Sequence, residues 1–172
     1  MSYQIVYLLI EGSDDERFVK RIVKPLLERK YNSVMLWKYA EEPEKRVNKF
    51  LKSIKAMNSD YFYLRDINRD PCITAKKERI QNEYEQIDNN RIIIVIKEIE
   101  SWYLAGLDDE SSKKVRISPH KITDNITKEQ FNSLIPKKFD SRIDFMSEIL
   151  KYFSVEIAKR KNGSFRYFME KI

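Results

Sequence analysis

The chain has 172 residues and a net charge of +6, with one Cys, one His and three Gly. That length supports one domain with a genuine core and leaves no room for a second enzyme domain. The apolar runs Ile5 to Ile10 and Ile92 to Ile96 fall far short of a membrane span, and the N-terminus lacks the basic start and cleavage site of a signal peptide, so a soluble cytoplasmic protein with no membrane association is expected. With only Cys72 and His120, an internal disulfide or a multi-cysteine zinc site is excluded, and any bound metal would sit on oxygen ligands.

The first apolar run, Ile5 to Ile10, is rich in β-branched and aromatic residues and stops at Glu11-Gly12, which reads as a buried strand leaving through a turn. Ser13 and Glu16 form an S-x-x-E capping box, so a helix starts there with Phe18, Val19, Ile22, Val23, Leu26 and Leu27 on its buried face. Pro25 removes an amide donor and should kink or restart that helix. Ser33 to Trp37 reads as a second strand. Pro43 then opens a helix whose Val47, Phe50, Leu51 and Ile54 recur at helical spacing, and Asn58-Ser59-Asp60 ends it. A third strand, Tyr61 to Leu64, delivers Arg65 to Pro71 and a polar helix reaching about Ile87. A fourth, Arg91 to Ile96, delivers Lys97 to Trp102. Strands alternating with helices predict an α/β fold, a mostly parallel central sheet with helices on both faces. From Leu107 the pattern changes. Lys128 to Leu134, Ser141 to Phe153 and Ser164 to Ile172 read as helices, so the expected organisation is an α/β core over 1–107 and a small helical lobe over 108–172, packed on the core within one structural domain.

Three strands end in carboxylates: Glu11 with Asp15, Asp66 with Asn68 and Asp70, and Glu98 with Glu100. In a parallel sheet all three exits face one edge, where α/β proteins bind ligands. Crowded carboxylates repel unless they share protons or a cation neutralises them, and oxygen donors suit Mg²⁺ or Mn²⁺. Two such ions roughly 3.5–4 Å apart activate water and stabilise the leaving oxygen in phosphodiester hydrolysis. Asp14, Asp15 and Asp70, taken singly, also read as helix caps. No glycine-rich phosphate loop is present, which argues against ATP hydrolysis by this chain. A receiver domain would offer a hydroxyl and a lysine after its later strands, where this chain has Glu98 and Glu100. Trp102 and Leu104 read as core residues rather than a base-stacking platform, and Cys72 and His120 as structural.

The run Ile10-Glu11-Gly12-Ser13-Asp14-Asp15, followed by an aromatic strand and Asp66-Ile67-Asn68, resembles the toprim nucleotidyl-transfer and hydrolase domain, closest to its OLD-type nuclease branch. Leu64 to Cys72, Lys97 to Leu107 and the closing Asn162-Gly163-Ser164-Phe165-Arg166-Tyr167-Phe168 are similar to the domain-of-unknown-function family 4276. The resemblance spans Tyr7 to Phe168. It implies a toprim-like core and metal-dependent cleavage of DNA or RNA, with Glu11 as general base or acid and metal ligand. Asp15, Asp66 and one or both of Glu98 and Glu100 would complete the ligands. Asn68 departs from the pattern, standing where the second acid of D-x-D is expected. An amide oxygen coordinates Mg²⁺ without charge, and Asp70 is the substitute acid. Relatives of this kind are often paired with an ABC-like or AAA ATPase in phage defence, which implies such a partner. A structured-RNA maturation nuclease and a catalytically inactive binding module are the alternative readings.

Charge is unevenly placed. From Ser111 to Ile172 there are 14 Lys and Arg against 7 Asp and Glu, which suits a polyanionic partner such as nucleic acid. The candidate phosphate contacts are Lys113, Lys114, Arg116, Lys137, Lys138, Lys159, Arg160 and Lys161, with Arg65, Arg69, Lys76 and Lys77 as a second basic stretch; solvated helix faces are the competing explanation.

Overall fold

A computed structural model describes residues 3–172. The chain divides into two compact units, 1–94 and 95–172. The helix carrying Trp102 packs with the later helices of the second unit.

The first unit is built on strands β1 (Ile5–Ile10), β2 (Ser33–Lys38), β3 (Asp60–Asp66) and β4 (Ile92–Val95), in the order β2-β1-β3-β4. They form the expected parallel central sheet with helices around it. β1 pairs parallel with both β2 and β3, with Ile10 beside Lys38 and Leu9 beside Tyr63. Alternation along the strands sorts the side chains. Leu9, Tyr61 and Tyr63 join Val47, Leu51 and Ile54 of α3 (Glu44–Ala56) and Ile80 of α4 (Ile73–Glu83) in one core. Leu8, Ile10, Phe62 and Leu64, of opposite parity, are buried on the other face.

Local chemistry explains the element ends. The first helix, α1 (Ser13–Phe18), is capped one residue earlier than the sequence suggests: Gly12 is the N-cap, its N–H donates to the Asp15 carboxylate at 3.2 Å, and Glu16 instead pairs with Lys20 and Lys38. Glycine has no side chain, so only the return half of a capping box forms. Pro25 acts as expected. The helix widens into a π turn over Val19–Val23 and restarts as α2 (Lys24–Leu27). Asn58 closes α3 in the left-handed region with φ 51°, which Asn tolerates better than most residues. Cys72 caps α4, its Sγ accepting from the Ala75 N–H at 3.5 Å.

The second unit is helical: α5 (Glu100–Ala105), α6 (Asp109–Lys114), α7 (Lys128–Leu134), α8 (Arg142–Lys151), α9 (Val155–Lys161) and α10 (Gly163–Lys171). Trp102 and Leu104 are buried, as their position after a buried strand predicts. A buried polar network joins the Ser101-Trp102 and Asn162-Gly163-Ser164 stretches. Ser164 Oγ accepts from Trp102 Nε1 at 2.8 Å and donates to Asn162 Oδ1 at 2.9 Å, while Asn162 Nδ2 donates to Thr123 Oγ1 at 3.1 Å and Ser101 Oγ at 3.3 Å. These two motifs, distant in sequence, therefore lock one another in place. No helix among the described residues is long and apolar enough to cross a membrane.

Candidate functional site

In a sheet ordered β2-β1-β3-β4 the chain leaves β1 first to one side and then to the other, so the exits of β1 and β3 flank a topological switch point, where open α/β sheets bind ligands. β3 runs on past Leu64 to Asp66, and the β1–β3 register carried forward sets Asp66 level with the turn after β1. Glu11 and Asp66 consequently meet. The Asp66 N–H donates to Glu11 Oε1 at 3.1 Å.

Tyr39, just beyond β2, supports the same oxygen. Its hydroxyl donates to the Leu64 carbonyl at 2.8 Å and stands 3.4 Å from Glu11 Oε1, and its ring stacks on Tyr63 with centroids 4.4 Å apart. Burial, then the neighbouring Tyr63 and Glu11, push the Tyr39 hydroxyl well above its usual range, so it remains a proton donor at neutral pH. Glu11 Oε2, by contrast, has no hydrogen-bond partner among the described residues, and the side chain is about a quarter exposed. One oxygen of this carboxylate is fixed and the other is open.

Arg65 completes the wall. Its Nη1 donates to Glu83 Oε2 at 2.7 Å and to the Tyr63 hydroxyl at 3.3 Å, and its Nε lies 3.9 Å from Glu11 Oε1. Burial works against the guanidinium charge, but Tyr63 and Glu83 outweigh it and hold the pKa above the ordinary arginine value. Glu11, Tyr39, Glu42, Arg65, Asn68 and Glu83 are among the residues lining a pocket of about 220 Å³.

The other candidate ligands each have partners or surroundings of their own. Asp15 is buried and serves as the α1 cap. Asn68 lines the pocket but adopts φ 53°, so its backbone conformation alone gives a reason for Asn at this position. Asp70 is sealed by ion pairs, with Lys76 Nζ at 3.0 Å and Arg79 Nη2 at 2.7 Å, and the Asp70 and Lys76 side chains are only 2% and 3% exposed. The Lys76 contact is an ion pair without hydrogen-bond alignment. In the second unit, Glu98 accepts the Lys128 N–H at the start of α7, and buried Glu100 pairs with Arg142, whose Nε also donates to Asn132 Oδ1 at 2.7 Å. Among the described residues no group of three or more His, Cys, Asp or Glu is set to hold a metal ion.

The basic candidates are spread over several elements of the second unit. Lys114 pairs with Glu110, Lys159 with Glu156, Lys138 Nζ donates to the Lys114 carbonyl, and Lys161 Nζ donates to the Leu107 carbonyl. Burial, opposed by Asp109 and Asp108, lowers the Lys161 pKa. Lys113, Arg116, Lys137 and Arg160 are exposed. In the first unit, the Lys76 ammonium is buried in its pair with Asp70.

Sequence reasoning missed Tyr39 and Glu83 as site residues and named Arg65 only within a second basic stretch. The available signal was positional: Tyr39 follows a strand of the same parallel sheet, and Arg65 stands one residue before Asp66.

No family model and no curated protein sequence matches the chain. Two solved structures are similar to it: the C-terminal region of the Xanthomonas campestris pv. campestris OLD protein, with a TM-score of 0.48 and 13% identity over 99% of this chain and 95% of that one, and the C-terminal region of the Burkholderia pseudomallei OLD protein, with a TM-score of 0.48 and 12% identity over 99% and 96%.

Proposed function

We propose that this chain is a toprim-type nuclease that hydrolyses phosphodiesters of DNA or RNA with Mg²⁺ or Mn²⁺, working with a separate ABC-like or AAA ATPase in phage defence. The observation that carries the reading is the Glu11 carboxylate at the switch point, lining the pocket, with one oxygen held by the Asp66 N–H at 3.1 Å and the other without a hydrogen-bond partner among the described residues. The sequence resemblance supports the reaction class and the ATPase partner.

The donors fit a hard cation that keeps most of its water. Mg²⁺ is commonly held by one or two carboxylates rather than a protein cage, and Glu11, Asp66 and the Asn68 amide oxygen offer that set. A bound ion supplies polarisation of a phosphoryl oxygen and an acidified water. Glu11 Oε2 would accept a proton from the attacking water. Tyr39 and the Asp66 amide keep the carboxylate aimed, and Arg65 adds positive charge beside it.

The test is Mg²⁺- and Mn²⁺-dependent cleavage of duplex DNA and of structured RNA by wild type and Glu11→Gln. The amide keeps an oxygen acceptor for Asp66 and removes the base, so a loss of about 10²-fold or more is expected. Equal cleavage by both proteins at matched purity sinks the reading. Binding without cleavage by wild type favours the non-catalytic module.

A further inference from the structure

Resting on that reading of the pocket, we propose that Arg65 is the residue that takes hold of the substrate's phosphodiester, with Glu83 as its positioning partner. The guanidinium is a planar fork of five donors. Nη1 is committed to Glu83 at 2.7 Å and Tyr63 at 3.3 Å, so the plane is fixed. Nε is 3.9 Å from Glu11, beyond hydrogen-bond reach, and Nη2 has no acceptor among the described residues. The edge made by Nε and Nη2 is therefore charged, oriented and without a hydrogen-bonded acceptor among the described residues, on a side chain that lines the same pocket as Glu11. Two parallel N–H donors at that spacing match two oxygens of one phosphate. The alternative is that Arg65 only balances the charges of Glu11 and Glu83. A counter-ion needs charge alone, whereas a phosphate fork needs the planar pair of donors.

Fluorescence anisotropy of labelled single-stranded DNA and RNA oligonucleotides, in Ca²⁺ to populate the cation site, separates these roles. Arg65→Gln is expected to weaken binding about tenfold and flatten the plot of log affinity against log salt by about 0.7, one single-strand phosphate contact. Arg65→Lys should restore the salt slope but not the full affinity, since it keeps the charge and loses the fork. Glu83→Gln leaves the Arg65 charge in place and should weaken binding by a smaller factor with the slope unchanged. Circular dichroism of each variant establishes that it is folded. Wild-type affinity and slope in Arg65→Gln, full rescue by Arg65→Lys, or no oligonucleotide binding by wild type in Ca²⁺ overturns the assignment. If Glu11→Gln abolishes cleavage while Arg65→Gln binds normally, the nuclease reading stands and only the role of Arg65 falls.

Discussion

The Asp66 amide donates to Glu11 Oε1 at 3.1 Å, across 55 residues of sequence. A backbone donor cannot be removed by a side-chain change, so Glu11 keeps this anchor when Asp66 is altered. Asp66→Asn should accordingly abolish divalent-dependent cleavage while the Tm without metal stays equal or rises, because one of two neighbouring negative charges is lost. A large drop in Tm would assign Asp66 to the fold instead.

Asp70 illustrates the opposite case. Its carboxylate and the Lys76 ammonium are buried together at 3.0 Å. Asp70→Asn leaves a buried ammonium without its counter-charge, and a loss of about 3 kcal/mol in urea denaturation is expected. The double change Asp70→Asn with Lys76→Met should recover part of it, since the stranded charge is gone.

The buried tyrosines give a pH dependence whose sign follows from their environment. Burial, against the opposing pull of Arg65, pushes the Tyr63 hydroxyl up to about 12 from an ordinary value of 10.0. The unfolded chain thus ionises first. This contribution to stability is complete below pH 10 and is lost as pH climbs from 10 towards 12. Tyr63→Phe should flatten the fall in urea midpoint over that window, and an unchanged slope would place Tyr63 in water.

In the second unit, Ser164→Ala removes the acceptor of Trp102 Nε1 and of the Ile96 N–H, which lie 2.8 and 3.3 Å from Ser164 Oγ. Leaving buried donors unmade costs about 1–3 kcal/mol, read as a lowered urea midpoint. Gly106→Ala should be comparably costly. A Cβ there would stand 2.2 Å from the Phe153 ring, and a rigid aromatic yields only by moving, at about 1–3 kcal/mol.

Replacing Lys159, Arg160 and Lys161 together by Gln tests the basic stretch. Three contacts would flatten the duplex salt slope by about 2.7. Lys161 is engaged with the Leu107 carbonyl and Lys159 with Glu156, which leaves Arg160 as the exposed charge, so the expected change is about 0.9. A change near the larger value would mean that both lysines leave their partners on binding.

Several features of this protein are written locally. The strands and most helices follow from apolar periodicity, the π turn from Pro25, and the burial of Trp102 and Leu104 from their place after a strand. Glu11 and Asp66 share a sheet edge because parallel strands all exit one way, and that follows from strands alternating with helices. The sequence could not say what each carboxylate touches. Asp15 turns to the Gly12 amide, Asp70 to Lys76 and Arg79, Glu100 to Arg142, and Glu11 to the Asp66 amide through one oxygen, its other oxygen having no hydrogen-bond partner among the described residues. Tyr39, Arg65 and Glu83 enter the site only when β2, β3 and α4 come together. Periodicity and turn chemistry act between neighbours in sequence, whereas an ion pair or a buried hydrogen bond is decided by which side chain arrives from far along the chain, and only the folded backbone sets that approach.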